Sequence, residues 1–282
     1  MRCSIVIRTF NEANHIGRLL DGILQQTVKD IEIILVDSGS TDSTLDIARK
    51  YPVQVLQISP DDFTFGHSLN AGISQARTDL VVIASGHVYP VYPDWLEYLL
   101  APFANPEIAL TYGKQRGNHL TKFSEQQVFR QWFPEISNQR QKHPFCNNAN
   151  AAIRRTLWDS QPYDEGLSGL EDVAWAKWAL DQGQTISYTA EAEVIHVHDE
   201  SPQDVYNRYR REAMAFKRIF PEERFTIWDF TKLVSTNIFN DLLRSAEAQS
   251  LWQHISDILW FRWMQFWGTY QGYRQSGPLT WE

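Results

Sequence analysis

Short apolar runs alternate with amphipathic stretches along the first part of the chain. Residues 4–7, 33–36 and 53–58 form runs rich in β-branched side chains, which is typical of strands buried on both faces of a parallel sheet. Between these runs, residues 15–25 and 44–50 have the apolar spacing or the capping residues of helices. The order β-α-β-α-β predicts a Rossmann-like, mostly parallel sheet flanked by helices.

The remaining chain carries further elements of both kinds. We predict strands at residues 79–84, 109–112, 186–188 and 193–197, and helices at residues 95–103, 123–143 and 170–182. From Pro202 onward the chain is predicted to be helical, and residues 251–273 are rich in aromatic side chains. The fold class is therefore α/β with a helical C-terminal extension.

Polar residues follow the first two strands at one edge of the predicted sheet. They are Thr9, Asn11 and Glu12 after the first strand, and Asp37, Ser38 and Gly39 after the second. Open α/β sheets bind their ligands at this edge. Because the chain lacks GxGxxG and GxxxxGK[ST], an ordinary dinucleotide or P-loop site is disfavoured. An alternative for Asp37 is that its carboxylate only accepts hydrogen bonds from the amides of its turn.

Composition and charge limit the partners and the cellular compartment that we expect for this protein. The 282 residues carry a formal net charge of −8, which argues against a nucleic-acid partner. Cys3 and Cys146 have neither metal-binding nor redox spacing. The start of the chain has no secretory pattern, and no run of 18 residues is apolar and uncharged. We expect a cytoplasmic protein, with location at the inner face of the membrane left open.

Seven segments, in order, carry a resemblance to a known family. They are SIVIRTFNE, ILVDSGSTDST, FTFGHSLNAG, SGHVYP, NNANAAIRR, GLEDVAW and HVHDES. Together they resemble the family 2 glycosyltransferases, which have the GT-A fold. The resemblance implies a GT-A domain over residues 1–215, with a nucleotide-binding half (1–100) and an acceptor and catalytic half (101–215). Residues 216–282 would form the helical, aromatic-rich extension.

The resemblance also implies an activity. Family members transfer a sugar from a nucleotide-diphosphate sugar to a hydroxyl, here as a hexosyltransferase acting on a glycan, a glycolipid or a small molecule in cell-envelope or polysaccharide biosynthesis. The residues matching the donor site are Thr9, Asn11, Glu12, Asp37, Ser38, Gly39, His67, Asn70, Ser85 and Gly86. Among them, Asp37 would contact the base or ribose, while His67 and Asn70 would lie near ribose or phosphate.

The turn Ser85-Gly86-His87 departs from the family, in which Asp-x-Asp binds a divalent cation at the diphosphate. His87 stands at the metal-binding position, and His198 or His196 matches a later histidine ligand. One interpretation, which we favour, is that His87 and His198 hold Mn²⁺ or Mg²⁺. Another is that protonated histidine and arginine stabilise the leaving group without metal, and a third is that both histidines are only packed.

The pair Glu171-Asp172 opens a predicted helix, where carboxylates are favourable through the helix dipole alone. The resemblance instead implies that Asp172 is the general base of an inverting transfer, with Glu171 orienting the base or the acceptor. Asn147, Asn148 and Asn150 carry amides suited to sugar hydroxyls, although a self-capping polar loop is an alternative.

Two other functions compete with this hypothesis. A sugar nucleotidyltransferase would need a glycine-rich, basic loop that RTFNE does not offer. A noncatalytic nucleotide- or sugar-binding relic of the GT-A fold would explain the altered Ser85-Gly86-His87 turn. The aromatic tail is expected to pack in the core or in a homodimer interface, with peripheral membrane contact as the alternative.

Overall fold

The computed structural model describes residues 3–275. By packing, the chain divides into two compact units, which we describe separately. The first unit runs up to Arg116 and includes Phe133–Glu165 and Glu171–His196. The second comprises Gly117–Trp132, Gly166–Leu170 and the residues from Val197 onward.

The first unit is built on a nine-stranded sheet. Its strands are β1 (Cys3–Thr9), β2 (Ile31–Asp37), β3 (Gln54–Gln57), β4 (Leu80–Ser85), β5 (Val88–Pro90), β6 (Ile108–Arg116), β7 (Asn138–Gln141), β8 (Asn150–Arg154) and β9 (Thr185–His196). The strand order is β3-β2-β1-β4-β8-β6-β9-β5, and β7 also pairs with β9. The helices of this unit are α1 (Ile16–Leu24), α2 (Thr44–Ala48), α3 (Phe65–Gln75), α4 (Trp95–Leu100), α6 (Arg155–Ser160) and α7 (Glu171–Asp181).

Strands β1 to β4 form the parallel half of the sheet. Strand β1 pairs in parallel with both β2 and β4, and its register places Thr9 opposite Asp37 and Arg8 opposite Ser85. The carboxyl ends of three strands therefore meet at one edge, as the sequence predicted. Strand β8 then runs antiparallel to β4 and β6. The predicted mostly parallel sheet with flanking helices is confirmed.

Three predicted elements differ from the structure. The helix predicted over residues 123–143 is a shorter helix, α5 (Phe123–Trp132), which is followed by strand β7. Pro134 lacks the backbone N–H that a continuing helix would need. The two short strands predicted at 186–188 and 193–197 are one strand, β9, with a register shift against β6 between Gly113 and Gln115.

The long secondary-structure elements of the second unit are all α-helices. These are α5, α8 (Pro202–Ile219), α9 (Ile227–Glu247) and α10 (Leu251–Arg274). Ser201 with Asp204, and Thr226 with Asp229, form capping boxes that fix the starts of α8 and α9. The predicted boundary between residues 215 and 216 differs from the division by packing, since it falls inside α8. Residues 276–282 of the predicted extension lie outside the described residues.

Helices α8 and α10 approach each other closely. A Cβ added at Gly268 would lie 2.5 Å from the carbonyl oxygen of Tyr206, and one added at Gly272 would lie 2.4 Å from that of Arg210.

Part of the aromatic tail packs within this unit, where the Phe230 ring contacts those of Trp263 and Trp267. Among the described residues, no helix is both long and apolar enough to cross a membrane.

A buried ion pair joins the helices of the second unit. The Arg262 guanidinium bonds the Asp241 carboxylate at 2.7 Å and 3.2 Å, and it also donates to the Ser124 carbonyl. The Arg262 and Asp241 side chains are 4% and 3% exposed. Asp241 additionally accepts a hydrogen bond from the Ser124 hydroxyl. Charges removed from water to this extent are stable only while both partners are present.

Candidate active site

Hydrogen bonds connect the loop after β1 to the loop after β2. Asn11 adopts a positive φ of 55°, and its side-chain oxygen accepts hydrogen bonds from the backbone N–H groups of Thr41 and Asp42. The Asp37 carboxylate accepts hydrogen bonds from the N–H groups of Gly39 and Ser40 at 3.1 and 3.0 Å. This is the turn-stabilising role that the sequence left open for Asp37.

Thr9 and Ser38 complete this edge. The Thr9 hydroxyl lies 3.4 Å from Asp37 Oδ1, and the Ser38 N–H donates to the Thr9 carbonyl at 3.0 Å. Gly39 has a φ of +88°, a conformation that glycine adopts without the cost of a Cβ. The geometry places the predicted donor residues of these two loops together, and their contact with a nucleoside stays a prediction.

The turn after β4 brings His87 to Glu12. The Gly86 N–H donates to the Arg8 carbonyl at 3.0 Å. A Cβ at Gly86 would lie 2.8 Å from Glu12 Cγ, so this close approach requires glycine. Glu12 Oε1 then lies 2.6 Å from His87 Nδ1.

His87 forms a pair with His196. The two Nε2 atoms are 3.1 Å apart, and the rings are stacked with centroids 5.0 Å apart. On the far side of His196, its Nδ1 lies 2.8 Å from Gln115 Oε1. Of the two later histidines that the sequence left open, the structure pairs His196 with His87.

The surroundings of the histidine pair are compatible with a cation. Glu12 and the Gln115 oxygen can each accept a hydrogen from the Nδ1 atom of the neighbouring histidine. In that tautomer the Nε2 atom of each ring is available to bind a proton or a metal ion. Nitrogen ligands about 2.1 Å from one metal ion at roughly right angles are about 3 Å apart, so the pair fits a metal site. Glu12 and Gln115 would be its outer partners.

His198 belongs to the second unit. Its Nδ1 lies 2.6 Å from Glu125 Oε1, and Arg208 also donates to this carboxylate at 2.6 Å. The charges of His198 and Arg208 oppose the effect of burial and lower the pKa of Glu125 to about 2. The prediction that His198 binds metal stays a prediction.

Glu171 and Asp172 occupy the first turn of α7 and are both buried. Asp172 accepts hydrogen bonds from the N–H groups of Asn148 at 3.0 Å and Val173 at 2.8 Å. Burial, and then the neighbouring charge of Glu171, raise the pKa of Asp172 to about 7, while these hydrogen bonds and Arg8 act in the opposite direction. A carboxylate with a pKa near neutrality is suited to accept a proton.

The three asparagines differ in their surroundings. The Asn148 amide donates to Glu171 Oε1 at 3.3 Å, so Asn148 touches both acidic residues. Asn147 accepts a hydrogen bond from the N–H of Ala149. Asn150 is completely buried, and its amide bonds Trp95 and two backbone carbonyls. The structure thus gives Asn150 a role in packing the sheet, because its amide is already satisfied.

His67 and Asn70 bond to the loop that follows α6. His67 Nδ1 lies 3.0 Å from Glu165 Oε2, and Asn70 donates to Glu165 Oε1 at 2.8 Å. The Asn70 side chain also donates to the Tyr163 carbonyl and accepts from the Trp158 indole N–H. Both residues therefore connect α3 to this loop, and their predicted contact with ribose or phosphate stays a prediction.

Sequence reasoning missed two residues of this region, Arg8 and Gln115. Arg8 precedes Thr9 in β1, and its Nη1 lies 3.7 Å from Glu171 Oε1. A charged residue inside an otherwise apolar strand could have drawn attention to it. Gln115 gave no comparable indication, because its partner His196 is far along the sequence.

Comparisons with known proteins agree with this architecture. A family model described as glycosyl transferase family 2 matches residues 4–160. The O-antigen chain rhamnosyltransferase RfbN of Salmonella typhimurium is 26% identical over 222 residues, which are 74% of this chain and 70% of RfbN. The O-antigen chain rhamnosyltransferase WbaN of Salmonella anatum is 28% identical over 197 residues, covering 66% of this chain and 62% of WbaN.

A solved structure shares the fold. The mannosyltransferase PcManGT from Pyrobaculum calidifontis, in complex with GDP-Man and Mn²⁺, aligns with a TM-score of 0.62 and 18% identity, covering 96% of this chain and 84% of PcManGT. The expected GT-A fold is confirmed. The family match extends over more than half of the sequence, and so this chain is a glycosyltransferase that belongs to glycosyl transferase family 2.

Proposed function

We propose that this enzyme transfers a sugar from a nucleotide-diphosphate sugar to an acceptor hydroxyl with inversion, and that Asp172 is its general base. The observation that carries the proposal is the buried Asp172 carboxylate, which the Asn148 N–H holds in place and whose pKa is raised to about 7. The resemblance of the segment GLEDVAW to the family also implies this role for Asp172. A base of this strength is deprotonated in part of the molecules at neutral pH.

The transfer is a single displacement. The acceptor hydroxyl gives its proton to a carboxylate oxygen of Asp172 while the hydroxyl oxygen bonds to the anomeric carbon. The bond between that carbon and the diphosphate breaks on the opposite face, and the electron pair leaves with the nucleoside diphosphate. Inversion follows because no enzyme nucleophile intervenes. Glu171 and Asn148 orient the base, and Asn147, which precedes Asn148 in the chain, is proposed to reach the acceptor.

The histidine pair is proposed to hold a divalent cation. Nε2 of His87 and Nε2 of His196 lie 3.1 Å apart, and Glu12 and Gln115 orient the two rings from behind. PcManGT, which shares the fold, was solved with Mn²⁺. When bound, the cation would neutralise charge that develops on the diphosphate leaving group.

The relatives suggest where to search for substrates. RfbN and WbaN are O-antigen chain rhamnosyltransferases, so we propose a nucleotide-diphosphate rhamnose as the first donor to test and a cell-envelope glycan or glycolipid as acceptor. Cytoplasmic location, contact with the inner face of the membrane and a homodimer stay predictions.

The experiment that tests the function is turnover of a panel of nucleotide-diphosphate sugars, with rhamnose donors first, in the presence of oligosaccharide acceptors. The anomeric configuration of the product is read by NMR. A product with inverted configuration would support the proposal, and a retained configuration would contradict it. Nucleotide binding without turnover of any donor would favour the noncatalytic alternative.

Replacing either histidine of the pair is expected to remove the response to metal. In His87→Ala and in His196→Ala, turnover with Mn²⁺ should fall about 10- to 100-fold, because each variant removes one ligand nitrogen. The measurement is the initial rate across a Mn²⁺ titration, together with Mn²⁺ binding by calorimetry. The exposed His119 supplies the control variant His119→Ala, which should behave as wild type. Wild-type turnover that is equal in EDTA and in Mn²⁺ would contradict the cation site.

A further inference from the structure

Arg8 is a half-buried cation in the strand that leads to the active site. It is the charged residue of β1, whose sequence is CSIVIRT, and its side chain is 15% exposed. Its guanidinium carbon lies 4.9 Å from the centre of the Phe65 ring. Its Nε and Nη1 atoms are buried and have no hydrogen-bond partner within residues 3–275.

Burial of an unsatisfied guanidinium is costly, so a compensating interaction is needed. The nearest ionic partner is Glu171, whose Oε1 lies 3.7 Å from Nη1. This distance allows an ion pair but is too long for a hydrogen bond. Arg8 therefore acts on the acidic pair through its charge, without the fixed geometry of a bidentate contact.

Two charged groups act on the Asp172 carboxyl. They are Glu171, its neighbour in α7, and, with a smaller effect, Arg8 from β1. Cys146 and Tyr163 also face the acidic pair, but burial raises the pKa of each well above its ordinary value, so both are neutral near pH 7. Two buried carboxylates thus share the charge of Arg8.

We propose that Arg8 is a positioning residue for this acidic pair: its positive charge, 3.7 Å from the Glu171 carboxylate, favours the ionised form of Asp172. The inference rests on the proposed function, in which Asp172 accepts the proton of the acceptor. Arg8 itself takes no part in bond making or breaking. Without Arg8, the two carboxylates repel each other uncompensated, and Asp172 retains its proton to higher pH.

The test is the pH dependence of kcat/KM in Arg8→Gln. Rates rise with pH as the base loses its proton, and an opposite charge nearby shifts a carboxyl pKa by about one to three units. The acidic limb of the profile should therefore move to higher pH by about half a unit to one unit in Arg8→Gln, with about a three- to tenfold loss of kcat/KM at pH 6 and recovery at high pH. Arg8→Lys keeps the charge and should restore most of the wild-type profile.

In a second variant we expect the acidic limb of the pH profile to shift in the opposite direction. Glu171→Gln removes the negative neighbour of Asp172, so its acidic limb should move to lower pH, which keeps the inference testable even where Arg8→Gln does not fold. The surface variant Arg49→Gln, whose side chain is 59% exposed, is the control and should leave the profile in place. Two results in Arg8→Gln would overturn the inference and indicate a structural or ligand-binding role. One is a loss of kcat/KM that is the same at every pH, and the other is a raised Kd for the nucleotide with no shift of the acidic limb.

Failure of the inference and failure of the proposed function can be told apart. If Asp172→Asn keeps wild-type turnover, the assignment of the base is wrong whatever Arg8 does. If Asp172→Asn removes the activity and its acidic limb, but the limb stays in place in Arg8→Gln and Glu171→Gln, only the role of Arg8 is overturned.

Discussion

Asp172→Asn is expected to lower the rate of sugar transfer about 10²- to 10⁴-fold, the usual contribution of a general base. Asparagine has nearly the same shape, and its side-chain oxygen can still accept the hydrogen bond that Asn148 N–H gives Asp172. It cannot take a proton from the acceptor. The measurement is kcat across pH for transfer, together with the Kd of the nucleoside diphosphate, which should stay within about twofold because the nucleotide does not need the base.

The stability of the same variant separates catalysis from helix capping. The folded protein holds the Asp172 proton more tightly than the unfolded chain does, because the pKa is about 7 when folded against an ordinary value of 3.8. Protonated Asp172 therefore stabilises the fold most at pH values below 3.8, and this stabilisation is lost as the pH rises through about 7. An asparagine has no carboxyl group to titrate, so the thermal midpoint of Asp172→Asn should fall less than that of the wild type as the pH rises from 4 to 8, although asparagine can accept only one of the two hydrogen bonds that Asp172 receives. A fall in the midpoint with activity retained would contradict the assignment and support capping. Asp94→Asn, at the N-cap of α4, is the matched control.

Asp241→Asn is expected to destabilise the helical unit by about 3–5 kcal/mol, the cost of leaving a buried charge without its partner. Arg262 would keep its contacts to the Ser124 carbonyl and to Gln265 but lose its counter-charge. The measurement is urea unfolding followed by tryptophan fluorescence, since this unit is rich in tryptophan. Asp46→Asn breaks an exposed pair, with side chains 59% and 77% exposed, and should cost less than about 1 kcal/mol.

A double variant tests the cause of this effect. Asp241→Leu with Arg262→Met replaces the pair by apolar side chains of similar size, and such replacements are often neutral or stabilising. The double variant should therefore recover most of the stability that Asp241→Asn loses. If it is as unstable as the single variant, packing rather than charge explains the loss.

Local pattern was sufficient to predict the parallel half of the fold. Residues 33–36 are continuously apolar and end at Asp37, and such a run specifies a buried strand and its end without reference to any distant residue. The same holds for the start of α7 at Glu171. The prediction over residues 123–143 was wrong because its helical periodicity is weak after Trp132, where pairing with β9 decides the structure.

Long-range pairing explains what the sequence could not reveal about the site. His196 and His198 are two residues apart, and alternation along a strand does not distinguish them. The choice depends on the pairing of β5 with β9, which sets Val88 opposite His196 and so brings that ring to His87. Arg8 and Glu171 meet for a similar reason, being 163 positions apart in the sequence, and no spacing rule connects them.

The two glycines of α10 that face α8 limit how this part of the chain can vary in evolution. Because a Cβ added at Gly268 or Gly272 would lie 2.5 or 2.4 Å from a backbone carbonyl oxygen of α8, even alanine would force the two helices apart. We therefore expect side-chain size, and not hydrophobicity, to be the property that is constrained at these two positions. Homologous chains that keep this helix pair should vary freely along the exposed side of α10 while conserving two small residues one helical turn apart.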